Sequence, residues 1–358
     1  MASPPAPDKA RDAIGTGVVP DEAWLALRPP EDILEPTLPI VDPHHHLWDG
    51  KRHRYLLDEL RADTGSGHRV VATVFVDCMA FYRADGPAAM RPVGETEFAN
   101  GVAAMCASGV YGELRACAGI VSHVDLTLGA AARDVLLAHT VAGGGEGGRF
   151  KGIRHAGGWD ASPQIRNSHT NPPPGLYGDA TFRQGIAQLA PLGLSFEAWQ
   201  FHPQLPEVTA LARAFPDTQI ILNHLGGPLG VGPYSTKIAG KTDETFAQWT
   251  RHMADLATCP NVSVKLGGLG MKIGPFDHHA RPLPPTSQEV ADAWRPWVET
   301  AITQFGAQRC MFESNFPVDK GAASYAVLWN AFKRIAAGAS ADEKAALFDG
   351  TARRVYKL

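Results

Sequence analysis

The chain has 358 residues, 44% hydrophobic and 20% charged, with a formal net charge of −4. That apolar content supports a large buried core, and a weakly acidic chain without a basic block has no electrostatic footprint for nucleic acid. Five scattered cysteines with no Cys-x-x-Cys spacing read as free thiols of a cytoplasmic protein, and no apolar run approaches the length of a membrane span.

Residues 1–37 read as an N-terminal extension. The first 20 lack the apolar centre of a secretory signal, and 21–36 suit a short helix with an extended lead-in. From residue 38 to 358 the chain alternates short apolar runs with longer amphipathic segments. The strand candidates are 40–41, 70–76, 116–121, 150–153, 194–199, 219–222, 262–265 and 310–312. The helix candidates are 95–108, 130–139, 180–190, 206–214, 242–257, 287–305, 324–335 and 341–348. Eight strands interleaved with helices predict an α/β fold of one domain, a (β/α)8 TIM-type barrel, rather than an open doubly wound sheet. No Gly-x-Gly-x-x-Gly opens a helix, so a dinucleotide-binding domain is unsupported. The glycine-rich stretch 143–148 reads as a surface turn, and 226–241 and 274–285 as long loops.

The first strand runs into Asp42-Pro43-His44-His45-His46-Leu47-Trp48-Asp49. His44 and His46 are two residues apart and share one side of an extended chain. Paired imidazoles at a buried strand end suit metal ligation, proton transfer or anion binding. Polar groups recur after later strands: Arg154 and His155, Glu197 ahead of His202, Asn223 and His224, Lys265, then Glu313, Ser314 and Asn315. In a barrel these ends converge on one mouth. Each has a structural alternative: a helix cap for His202, a loop-carbonyl bond for His224, a bracing ion pair for Arg154 or Lys265. His45 is expected to face away as a wall residue, and His278 and His279 to be solvated. Trp48, Trp159 and Trp199 line a pocket or pack in the core.

With these motifs in order, the chain from about residue 38 onward resembles the amidohydrolase superfamily, in its amidohydrolase-2 branch of lactonases and decarboxylases. The resemblance rests on residues 41–49, Gly-Ile-Arg-His at 152–155, Phe-His-Pro at 201–203, Asn-His-Leu-Gly-Gly-Pro at 223–228, Val-Lys-Leu-Gly-Gly at 264–268 and Phe-Glu-Ser-Asn-Phe-Pro-Val-Asp at 312–319. It implies the barrel, and it implies one divalent metal, zinc or manganese, on His44, His46 and His202, with His224 after the sixth strand. The family's strand-eight aspartate is replaced here by Asn315, an amide that cannot take a proton usefully near neutral pH. That departure leaves metal-independent hydrolysis open.

The reading is a hydrolase that opens a carboxylate-bearing lactone or related cyclic ester in the catabolism of sugar acids or aromatic compounds. Arg154 would hold a small anionic substrate, with Trp48 and Glu197 also facing it. His202 or His224 would move the proton, with Glu313 or Asp319 in reserve. Lys265, His44 and His46 would polarise the carbonyl, and Asn315 would position water. The alternatives are a metal-dependent decarboxylase on the same scaffold and a non-catalytic metabolite-binding barrel. Neither nucleic acid nor membrane is an expected partner, and a homo-oligomer is left open.

Overall fold

The eight apolar runs form eight parallel strands: β1 (Pro39–His45), β2 (Arg69–Val76), β3 (Arg115–Ser122), β4 (Phe150–Arg154), β5 (Ser195–Ala198), β6 (Ile220–Leu222), β7 (Val262–Leu266) and β8 (Cys310–Phe312). The structure, a computed structural model, describes residues 19–358. Each strand pairs with the next in sequence, in the order β1 to β8. The first and last strands meet through a parallel bridge between His45 and Phe316. At that seam Asn315 N donates to His44 O at 2.9 Å and His46 N to Phe316 O at 2.8 Å. The arrangement is the expected barrel, nearly closed, with helices between strands.

Side-chain alternation builds two cores from each strand. Val41, Val74, Val121, Ile221 and Met311 point into the barrel. Ile40, Phe75, Ile120, Phe196, Leu222, Val264 and Phe312 point outward and join the helical layer. That layer contains helices at Val93–Ala107, Ala132–Ala142, Ala180–Ile186, Leu205–Ala214, Lys241–Ala257, Ser287–Phe305 and Tyr325–Ile335, all within a few residues of expectation. Ser287–Phe305 starts where it does because Thr286 and Glu289 form a reciprocal capping box.

One helix escaped the sequence pattern, and the expected helix 341–348 runs on beyond its expected end. Leu57–Thr64 buries only Leu57, Leu60 and Thr64, too thin a stripe to stand out among its charges. Ala341–Ala345 continues through a π turn, Ala346–Gly350, into Thr351–Tyr356. This C-terminal helix closes the end of the barrel opposite the strand C-termini: Ala352 and Tyr356 pack among the inward residues, and Thr351 Oγ1 donates to Ala307 O at 3.2 Å.

Of the expected N-terminal extension, residues 1–18 lie outside the described residues. The rest straps the outer helices: Trp24 Nε1 donates to Arg281 O at 3.0 Å, Ser287 N to Glu31 Oε1 at 2.7 Å, and Lys333 Nζ to Leu34 O at 2.7 Å. His278, expected to be solvated, is buried and stacks on Phe276. Among the described residues no helix is long and apolar enough to cross a membrane.

Candidate active site

Because β-strands end together at the barrel mouth, residues far apart in sequence meet there. His44, Glu197, His224, Lys265 and Glu313 are all buried and form one connected network. Lys265 Nζ donates to both carboxylate oxygens of Glu197, at 2.9 and 2.7 Å, and lies 3.2 Å from His44 Nδ1. Asn223 Nδ2 and the hydroxyl of Tyr356 also donate to Glu197. The last contact carries the C-terminal helix up the barrel axis to the polar floor of the mouth.

Glu313 is the centre. Its Oε1 accepts from His224 N at 3.1 Å and lies 2.7 Å from His224 Nδ1. Its Oε2 lies 2.8 Å from His44 Nδ1 yet has no aligned hydrogen-bond donor. The rings of His44 and His224 are 4.5 Å apart between centroids. Such crowding requires the Gly267-Gly268 pair after β7. A Cβ on Gly268, which has φ of +70°, would sit 2.3 Å from His224 Nδ1, and one on Gly267 would sit 2.6 Å from Glu313 Cγ. His224 itself has φ of +52°, an uncommon conformation for a side chain of that size.

Arg154 sits on the other side of His44. Its Nε donates to Asp77 Oδ1 at 2.9 Å, its Nη2 to the Asp77 carbonyl, and its Nη1 lies 3.3 Å from His44 Nε2. Asp77 was not singled out in the sequence. The rule that found the others, a polar residue directly after an apolar strand, would have found it behind Val76.

The electrostatics follow from burial. Desolvation, then Lys265 for His44 and Arg154 for His46 and His224, hold all three imidazoles well below their ordinary pKa, so they are neutral. Burial likewise lowers Lys265 and pushes Glu313 up to about 8. Burial pushes Asp77 up, but Arg154, together with His169 and His123, more than offsets it and holds Asp77 below the usual carboxylate range. Within this network, with Asp77 matched by Arg154 and Glu197 by Lys265, Glu313 is the carboxyl left without a cationic partner. A buried carboxylate in that position takes up a proton or a cation.

The other expected site residues are placed as follows. His46 Nδ1 bonds the Val76 carbonyl at 2.8 Å, its ring is 4.9 Å from that of His44, and Trp48 stacks on it at 6.0 Å. Asn315 donates its side-chain amide to Asp319 Oδ1 at 2.8 Å, and Asp319, pushed up to about 8 by burial, also accepts from Gly270 N. His202 packs edge-on against Tyr234, and its Nδ1 accepts from Leu229 N at 3.3 Å. His45 faces away from His44 and bonds Thr73 Oγ1 at 2.8 Å.

A metal is also accommodated by this donor set, though not by the three histidines expected. His44, His224 and Glu313 place one ligand atom each within 4.8 Å of one another. Two neutral imidazoles and a carboxylate suit a divalent ion such as zinc, and the unsatisfied Glu313 Oε2 is an acceptor for it.

A family model described as Amidohydrolase matches residues 41–358. An uncharacterized protein of Sinorhizobium fredii is 33% identical over 347 residues, covering 89% of this chain and 98% of its own. An L-fucono-1,5-lactonase of Burkholderia multivorans is 31% identical over 189 residues, 50% of this chain and 57% of its own. The crystal structure of a Burkholderia multivorans amidohydrolase with bound zinc superposes with a TM-score of 0.66 at 25% identity, covering 89% of this chain and 99% of that one. With its eight-stranded barrel and its buried His/His/Glu centre at the strand ends, the chain belongs to the amidohydrolase family.

Proposed function

We propose that the protein hydrolyses a lactone by acid–base catalysis at the His224–Glu313 pair. The observation that carries this reading is the pairing itself. With Glu313 ionised, as it is above about pH 8, its carboxylate accepts from one ring nitrogen of the neutral His224 and leaves the other to accept a proton. The partial likeness to a lactonase points the chemistry toward a cyclic ester.

His224 Nε2 takes a proton from water as the water oxygen bonds to the lactone carbonyl carbon. Glu313 stabilises the imidazolium that forms. The positive field of Lys265 and Arg154, on either side of His44, favours the oxyanion. The ring C–O bond then breaks, and His224 returns the proton to the departing alkoxide, giving a hydroxy acid. When bound to His44, His224 and Glu313, a divalent ion supplies Lewis acidity toward a carbonyl or water.

His46 and Trp48 form one wall of the mouth, and Asn315 acts through Asp319 on the loop after β8. His202 braces the loops after β5 and β6. Arg154 is already matched by Asp77, and Lys265 by Glu197, so neither brings an uncompensated charge to a substrate carboxylate. The substrate favoured by this arrangement is a neutral lactone rather than the anionic one expected from the sequence.

A pH-indicator screen of aldonolactones and aromatic lactones, run beside metal analysis of the same protein, tests the reading. Turnover that His224→Gln abolishes supports it. A folded protein that opens no lactone on the panel, but releases carbon dioxide from an aromatic acid, overturns it in favour of the decarboxylase.

A further inference from the structure

The glycine-rich turn 143–148 lies at the strand-N-terminal end of the barrel, on the face opposite the catalytic groups, and borders a hollow of about 510 Å³. Cations from three separate stretches meet around it: Arg115 at the start of β3, Arg149 and Lys151 at the start of β4, and Lys357 just after the C-terminal helix. Among the described residues none of the four is ion-paired with a carboxylate, the chain terminus at Leu358 included. Each bonds a neutral oxygen instead: Arg115 Nη1 donates to Glu113 O at 2.9 Å, Arg149 Nη1 to Asn100 Oδ1 at 2.8 Å, Lys151 Nζ to Lys357 O at 3.3 Å and Lys357 Nζ to Gly193 O at 3.2 Å. The Nε and Nη2 groups of Arg115 and Arg149 bond no protein atom. Arg353 on the same rim differs, because both carboxylate oxygens of Asp349 hold it. No Asp or Glu side chain lines the hollow.

Exposed basic side chains are ordinarily just solvated. Here shape and charge coincide. The turn has left-handed glycines, Gly144 at φ of +103° and Gly147 at +73°, and a Cβ on Gly148 would meet Gly143 O at 2.5 Å, so only glycine closes it. Such tight concave backbone is what anion-binding loops use. Burial, and after it the charges of Lys357 and Arg149, hold Lys151 below its ordinary pKa, so the cations feel one another. A bound anion relieves that repulsion, and unused guanidinium nitrogens match phosphate oxygens in pairs. Four uncompensated cations favour a ligand with more than one negative charge. A long polyanion is disfavoured, because the chain as a whole is net acidic at −4.

We propose that this hollow binds a small phosphorylated anion of more than one negative charge, at a site separate from the catalytic mouth. The sequence hid it because no stretch of the chain is a basic block; the barrel gathers the charges.

Inorganic pyrophosphate is the probe, with citrate and a single-stranded oligonucleotide beside it. Calorimetry at about 0.15 M salt, where loose surface attraction is screened, should show pyrophosphate binding the wild-type protein in equal proportion to chain. Lys151→Gln and Lys357→Gln should each weaken it about tenfold, and the double variant further, with the melting temperature held. Equal affinity in the wild type and the double variant places pyrophosphate elsewhere, the metal centre included, and overturns the proposal. So does the absence of binding at that salt, which means that the cations are only solvated. Citrate bound as tightly as pyrophosphate overturns the phosphate class, and tighter binding of the oligonucleotide overturns it in favour of a nucleic-acid surface. No outcome depends on whether the protein opens lactones.

Discussion

Glu313 holds His224 by two bonds to one oxygen, from the ring at 2.7 Å and from the backbone at 3.1 Å. The carboxylate therefore fixes both the loop and the tautomer. Glu313→Gln keeps the volume but removes the charge that, above about pH 8, favours a protonated His224. We expect kcat to fall by about 10²–10⁴-fold with KM little changed. Steady-state kinetics on whichever lactone the screen identifies checks this. A loss of less than tenfold would mean that Glu313 only supports the loop.

The Gly267-Gly268 pair makes this approach possible. In Gly268→Ala the new methyl meets His224 Nδ1 at 2.3 Å, and the backbone at φ of +70° disfavours any side chain. His224 must move. Activity should drop by at least about 10²-fold, as expected for a catalytic group misplaced by an ångström. A crystal structure of the variant should show the imidazole displaced, and an undisturbed ring with lost activity would contradict the assignment.

The Arg154 pair is energetic as well as positional. Arg154→Met strips Asp77 of its buried counter-charge, at a cost of about 3–5 kcal/mol. It also frees one side of His44. Denaturant melts should show a large loss of stability. The double variant Arg154→Met with Asp77→Leu should recover part of it, because no charge is then left buried alone. Equal losses in the single and double variants would show that the pair is not coupled.

The sequence was most legible where one strand or helix sufficed to make a feature. Each strand is a short apolar run because both of its faces are covered, so all eight were visible. The strand-end rule found His44, Lys265, His224 and Arg154 for the same reason. What it did not find depends on three-dimensional partnership. Glu313 was ranked behind the histidines because nothing local shows that two imidazoles from β1 and β6 converge on it. Tyr356 lies in a short C-terminal helix, and its bond to Glu197 joins residues 159 positions apart. For Arg154 the sequence left anion binding and a bracing ion pair both open, because its partner Asp77 lies 77 positions earlier.

Asn315 separates this chain from the family pattern, and its amide is tied to Asp319, which burial pushes up to about 8. An acid with a raised folded pKa holds its proton in the native state while the unfolded chain, titrating near 3.8, has released it. The stability this group contributes is thus greatest at low pH and falls as pH rises from about 4 to about 8, by about 1.4 kcal/mol per unit. Asp319→Asn removes that slope in chelator-treated protein. Asn315→Asp does the reverse: it replaces the donor facing Asp319 with a second acid, so two carboxyls must share protons in a buried site. The slope over the same window should roughly double, and the protein should melt earlier at pH 8 than the wild type while matching it near pH 4. Added zinc or manganese should recover part of the loss if the new carboxylate reaches the His44–His224–Glu313 centre. Melting temperature against pH for both variants, with and without metal, checks the argument. Parallel curves for wild type and Asp319→Asn would show that Asp319 is ionised in the folded protein and that its bond with Asn315 is an ordinary surface-like contact.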